Sequence, residues 1–226
     1  MTLLAPPAIV VFDVNETLLS LSSLRPEFAE VFGTPDLIGE WFARMLHGSL
    51  VSNELGHYRA FGTIGVEALT MLAHKHGIDV SLEQAERVVA GMRRLEPHPD
   101  VIPAIERLRE AGFRTATLTN GSTDAAAAQL DHARLKPLLD TSMTVDEVRM
   151  FKPARRVYLA AAERFGVKVS DMLMVAAHDW DIAGAAAAGC QTAFVSRPGV
   201  RWSLPSAPPG LVVEDLTSLA GALTDG

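Results

Sequence analysis

Along the chain, short apolar runs alternate with stretches whose apolar positions recur at helical spacing. The run that opens "VVFDVNETLLSL" is apolar, β-branched and cut off by a carboxylate, Asp13, which suits a strand buried on both faces of a parallel sheet. From Val101 onward, "FRTATLTN", "LLDTSMT", "DMLMVAA", "QTAFVS" and "GLVVEDL" read as strands by length and content. Helical patterns separate them. "PDVIPAIERLREAG" stops at Gly112, "STDAAAAQLDHARL" opens on a capping Ser122, "KPARRVYLAAAERFG" stops at Gly166 and "DIAGAAAAG" stops at Gly189. This alternation predicts an α/β fold, a Rossmann-like doubly wound parallel sheet.

Between Leu18 and Leu95 the pattern changes. No segment there reads as a strand, while "RPEFAEVFG", "DLIGEWFARMLHGSL", "GVEALTMLAHKHG" and "SLEQAERVVAGMRRL" are amphipathic, the last opening with the capping-box pair Ser81 and Gln84. Pro97 and Pro99 mark the return, because the residue before a proline is pushed out of the helical region. The sequence thus predicts a core of residues 1–17 and 97–226 and an inserted helical cap over residues 18–96. Such a cap over the strand ends would exclude water from whatever Asp13 does. A Pro-rich loop is expected near Pro205 to Pro209.

Composition narrows the function classes. With 226 residues, 48% of them hydrophobic and 21% charged, the chain can bury a substantial core. The net charge is −7, from 20 basic and 27 acidic residues. No basic block interrupts that balance, which disfavours a nucleic-acid or anionic-membrane partner. The opening "MTLLAPPAIVVFD" lacks a basic leader, and no segment reaches the ~18 unbroken apolar residues of a membrane span, so a cytoplasmic protein is expected. Cys190 is the only cysteine, which excludes an internal disulfide and a cysteine metal cluster.

The candidate chemistry lies at strand ends, where open α/β sheets bind ligands. Asp13 ends the first strand. Thr119 and Asn120 end another, with Gly121 and Ser122 opening a helix whose free N–H groups favour anions. Lys152 sits in the next such loop, and His178, Asp179 and Asp181 in a further one.

In this order, Asp13 with Thr17 four residues on, Thr119 in "LTNGS", Lys152 in "FKPARRVY" and Asp181 in "HDWDIAGAAAAG", the chain resembles the haloacid dehalogenase superfamily over nearly its whole length. The helical insert after the first motif resembles that family's cap. The superfamily's magnesium-dependent phosphatases carry a second Asp two residues after the nucleophile and further carboxylates in the fourth motif. Here Asn15 and Ala177 stand at two of those positions, leaving Asp181 and Asp179, and magnesium relies on oxygen ligands, usually carboxylates.

The metal-free type II 2-haloacid dehalogenases are therefore the nearer resemblance, through Lys152, Tyr158 and the "NGS" after Thr119. It implies that Asp13 displaces halide from the halogen-bearing carbon of a 2-haloacid and forms an ester that water then cleaves, without metal or cofactor. It also implies a homodimer. Substrate and nucleophile are both carboxylates, so Lys152 is read as the partner that keeps Asp13 ionised. Thr17, Thr119 and the N–H groups of Asn120 and Gly121 are read as donors to Asp13 or the substrate.

Several positions depart from the type II pattern. The family's substrate-clamping arginine follows a tryptophan in the cap, whereas here Phe42 follows Trp41, and Arg44 either takes the clamp's place or covers the cap surface. Asn15 and Glu16 stand where the family has an aromatic and a glycine, and Ala176 and His178 where it has a serine and an asparagine, so the resemblance implies that the hydrolytic water has lost its usual holders. A carboxylate orienting an imidazole makes a base, so His178 oriented by Glu16 is read as activating that water, as in a subgroup with a glutamate and histidine dyad. Asp181 is expected to fix Lys152 or sit in the substrate site, and Trp180 to pack in the core. Trp41, Phe42 and Phe61 are candidates for an apolar halide pocket, with packing as the default. His47, His57, His74 and His76 are read as surface or packing residues. A magnesium-dependent phosphatase and a catalytically silent binding module are the competing functions.

Overall fold

The computed structural model describes residues 6–205 and 208–225. Strand β1, Ile9–Phe12, is entirely buried. It pairs in parallel with β4 (Thr115–Thr119) on one side and β6 (Met172–Ala176) on the other. With β5 (Thr141–Thr144), β7 (Gln191–Val195) and β8 (Leu211–Val213), all parallel, the sheet order is β5-β4-β1-β6-β7-β8. The order reverses on either side of β1, which places the ends of β1, β4 and β6 around one crevice. The intervening helices are α5 (Val101–Glu110), α6 (Thr123–His132), α7 (Arg155–Phe165), α8 (Asp179–Ala188) and α9 (Leu216–Thr224). Ser122 caps α6, and Gly166 and Gly189 end α7 and α8 in the left-handed conformation.

The insert is helical, as its pattern predicts: α1 (Arg25–Phe32), α2 (Ile38–Glu54), α3 (Phe61–Lys75) and α4 (Leu82–Gly91), the last with the Ser81 and Gln84 capping box formed. It also holds what the sequence did not reveal, since β2 (Leu19–Ser20) pairs antiparallel with β3 (Glu96–Pro97) where the chain leaves and re-enters the core. Two-residue strands carry no period to detect. Trp41 is fully buried inside the cap, its Nε1–H donating to Gly65 O at 2.9 Å and its ring 5.3 Å from Phe28. The cap is clasped to the core by Asn53, whose side chain donates to Phe151 O and accepts from Phe151 N, both at 2.8 Å. Tyr58 donates to Asp146 beside it. The predicted Pro-rich loop falls partly on Ser206 and Ala207, and the opening of the chain on residues 1–5, both outside the described residues. No helix among the described residues is long and apolar enough to cross a membrane.

Candidate active site

The strand that ends at Phe12 delivers Asp13, 5% exposed, into the crevice, and the Asp13 N–H donates to Val175 O at 2.9 Å. The chain then turns tightly, with Leu18 N and Leu19 N donating to Val14 O. This brings Thr17 back to donate from Oγ1 to Asp13 Oδ2 at 2.8 Å while accepting from Ala177 N at 2.9 Å. Thr17 thereby ties the β1 turn to the end of β6.

Lys152, 1% exposed, completes the cluster. Its ammonium donates to Asp13 Oδ1 at 2.8 Å, Asp181 Oδ2 at 2.6 Å and Leu118 O at 2.9 Å. An ammonium has three hydrogens, so all are used and none is left for a substrate. The sequence allowed Asp181 a place in the substrate site, but it is fully buried, and Tyr158 Oη donates to its Oδ1 at 2.6 Å. Tyr158 and Asp181 therefore sit behind Lys152 and do not line the cavity at Asp13, so the structure places Asp181 with Lys152 rather than in the substrate space. Gly184 makes this approach: a Cβ there would lie 2.4 Å from Pro153 Cβ and 2.9 Å from Tyr158 Oη. Only glycine lets α8 pack so closely on the Lys152 loop.

Burial raises the Asp13 carboxyl's pKa, but the charges of Lys152 and His178 and the bonds from Lys152 and Thr17 outweigh it, leaving it below the ordinary 3.8. Burial opposes the Lys152 charge, yet Asp13 and Asp181 hold it protonated, above 10.5. Asp181 is pushed up by burial and by the Asp13 charge against the pull of Lys152. The cluster thus keeps Asp13 ionised at neutral pH.

A cavity of about 10 Å³ faces Asp13, lined by Asn15, Phe42, Leu46, Phe61, Asn120, His178 and Trp180. That is room for about one water molecule or an ion of similar size. Phe42 and Phe61 fall here as candidates for the apolar pocket, Trp41 does not, and Leu46 was missed. Trp180 also lines the cavity and stacks on His178 at 5.2 Å, which corrects its reading as a core residue. Phe42 also lies beside the imidazole, its ring 5.8 Å away. Asn120 Oδ1 accepts from Lys152 N at 2.9 Å, while its Nδ2 is buried without a partner. Thr119 Oγ1 accepts from Gly121 N at 3.1 Å, so that N–H is already engaged and the helix-start anion site is incomplete. Asn15 Oδ1 accepts from Gln129 Nε2 at 2.9 Å.

Two residues are not brought to the expected place. The Glu16 carboxylate accepts from Leu21 N at 2.5 Å, and the residue adopts φ +62°, which points it away along its own turn. His178 Nε2 instead bonds Asn15 O at 3.1 Å and lies 3.8 Å from Asp13 Oδ2. No Glu16 to His178 bond is formed; a backbone carbonyl orients the ring. Arg44 pairs with Glu40 at 3.0 Å one turn back, on a separate groove with His47 and Arg59. It does not reach the cavity, because α2 turns Phe42 and Leu46 inward and Arg44 out.

Sequence reasoning missed one buried ion pair. Arg197, 7% exposed, follows β7 and donates from one terminal nitrogen to both Asp100 oxygens at 2.8 Å and from the other to Thr17 O at 2.7 Å. Its signal was a cation just past a strand end, the rule that located Lys152. Asp179 is turned to Ser203. Among the described residues no group of three or more His, Cys, Asp or Glu side chains could hold a metal ion.

Comparison with known proteins follows the same lines. Residues 7–189 match the family of haloacid dehalogenase-like hydrolases. The chain is 31% identical to (S)-2-haloacid dehalogenase 1 of Pseudomonas sp. (strain CBS-3) over 83% of each chain, and 29% identical to (S)-2-haloacid dehalogenase 4A of Burkholderia cepacia over 84% of this chain and 83% of the relative. The crystal structure of a dehalogenase with an intermediate complex superposes with a TM-score of 0.92 at 27% identity, covering 99% of this chain and all of the other.

Proposed function

The chain belongs to the haloacid dehalogenase-like hydrolases, and we propose that within that family it converts short 2-haloalkanoic acids to 2-hydroxy acids, acting on the (S) enantiomer that its relatives' names specify. The observation that carries this reading is the Asp13, Lys152 and Asp181 cluster: a buried carboxylate held ionised by an ammonium with no hydrogen to spare. Asn15 and Ala177, where the phosphatase branch places carboxylates, offer an amide already bonded to Gln129 and a methyl group. That counts against a magnesium-dependent phosphatase, and an intact nucleophile counts against a silent binding module.

An Asp13 oxygen attacks C2 opposite the halogen; the C–O bond forms as the carbon–halogen bond breaks, and halide leaves with the bonding pair. The aromatic edges of Phe42, Phe61 and Trp180 carry positive potential suited to it. Two carboxylates about 4 Å apart repel by roughly 4 kcal/mol at an effective dielectric near 20, so Lys152 offsets that repulsion, with the unpaired Asn120 Nδ2 as a further donor. Water then adds to Cγ of the ester, and the bond from Cγ to the alkyl oxygen breaks. The products are the hydroxy acid, inverted at C2, and Asp13 with one oxygen from water.

His178 is the base for that water. In the resting site Nε2 carries hydrogen, because Asn15 O can only accept. Esterification removes the carboxylate charge 3.8 Å away, and hydrolysis uses the other tautomer, with Nε2 turned from Asn15 O to the water. Since the resting cavity holds about 10 Å³, the cap parts from the core to admit substrate.

The test is halide release from chloroacetate and from each enantiomer of 2-chloropropionate with chelator present, beside phosphate release from a phosphomonoester with magnesium. Halide release lost in Asp13→Asn supports the reading; metal-dependent phosphate release alone refutes it. His178→Ala should accumulate the protein carrying the acid's alkyl group after one turnover, seen by intact mass, and unimpaired steady turnover would exclude the base.

A further inference from the structure

A second and far larger opening adjoins the nucleophile's cavity. The cleft between α3, α4 and the start of α6 encloses about 600 Å³, and Asn15 and Phe61 line both spaces. The wall between them is fixed from the core side. Gln129 Nε2 donates at 2.9 Å both to Asn15 Oδ1 and to Met92 O, so Asn15 is held in line with the base of the cleft. Beyond that wall the lining is mainly carbon, from Val66, Leu82, Val89, Met92 and Ala125, with Glu86 and Arg93 also present.

The two volumes pose a problem of accommodation. About 10 Å³ at Asp13 serves a water or a halide, whereas the substituent on C2 of a haloacid needs an apolar space of its own. We propose that this cleft is the subsite for the alkyl chain of the substrate, and that the enzyme works best on 2-haloalkanoic acids with chains several carbons longer than propionate. The inference rests on the dehalogenase reading and extends its acids from short chains to longer ones. With the cap parted from the core as substrate enters, the acid's carboxylate and halogen lie at Asp13, and the chain passes Asn15 and Phe61 and runs between the cap and core helices toward the open mouth.

Burying each further methylene should raise kcat/KM about fourfold. The experiment compares bromide release from 2-bromopropionate, 2-bromobutanoate, 2-bromohexanoate and 2-bromooctanoate by wild type and by Ala90→Trp. Ala90 is an exposed cleft residue on α4 that tolerates a large side chain without disturbing the core. Wild type should gain roughly sixtyfold between propionate and hexanoate. Ala90→Trp should keep the propionate value and lose most of that gain, and Val66→Asp, which places a charge on the opposite wall, should do the same. Bromide release that is flat or falls with chain length, or a rise that both variants preserve, overturns the subsite while leaving the dehalogenase reading intact. No bromide from any member overturns that reading and the subsite together.

Discussion

Replacing Arg197 by Met isolates what holds the catalytic turn from behind. Arg197 makes two bonds to Asp100 at 2.8 Å, largely shielded from water, and a buried one to Thr17 O at 2.7 Å. The substitution leaves Asp100, its side chain 11% exposed, with the Leu216 N–H at 2.7 Å and its own backbone N–H as donors. Removing one partner of a buried pair costs about 3–5 kcal/mol, which for a chain of this size lowers Tm by roughly 6–20 °C. The companion variant Asp100→Leu with Arg197→Met removes both charges and should return to within about 2 kcal/mol of wild type. Burial raises the Asp100 carboxyl's pKa, but the bonds from Arg197 and Leu216 N outweigh it and hold it below 3.8. A depressed carboxylate stabilises the fold above its unfolded value and loses that contribution as pH falls through the folded one. The deficit of the single variant should therefore be full at neutral pH and shrink below 3.8. Urea unfolding of the three proteins across that range gives the numbers. Halide release should also fall about tenfold as Thr17 loses its backbone anchor. A single-variant loss under about 1 kcal/mol, or losses that simply add in the double variant, would refute the argument.

Lys152→Met leaves Asp13 and Asp181 buried without their cation; at about 4 kcal/mol of lost attraction, the first-turnover rate should drop on the order of a thousandfold in rapid-quench measurements. Tyr158→Phe removes the 2.6 Å bond to Asp181. It should cost about 1.5–3 kcal/mol in thermal unfolding while lowering kcat less than tenfold, since Tyr158 acts only through Asp181 and Lys152. Because Asp13 is held below 3.8, its ionised form predominates at all higher pH, and any acid limb in the burst of halide release should have its midpoint below that value.

The architecture was legible because its punctuation is local. Gly112, Gly166 and Gly189 end their helices, Ser81 and Ser122 start theirs, and each apolar run between them is a strand of the sheet. The Asp13, Thr17 and Lys152 cluster was legible because strand ends in such a sheet converge. Rotation about a helix axis and the direction of a turn were not. Arg44 differs from an inward residue by two positions in α2, and Glu16 is sent elsewhere by a backbone angle that no composition reveals. Long-range pairs such as Arg197 with Asp100 join residues 97 apart, and nothing in either local stretch names the other.

The antiparallel pairing of Leu19–Ser20 with Glu96–Pro97 puts the chain's exit from the core beside its re-entry. Seen from the sheet, the whole helical excursion is a closed loop whose ends stay put whatever its contents, and lengthening such a loop carries a small entropic penalty. Descendants of this chain can therefore exchange or enlarge the excursion while Asp13, Thr17 and Lys152 remain in register. Heritable change in which acid is accepted is thus separable from change in how the bond is broken.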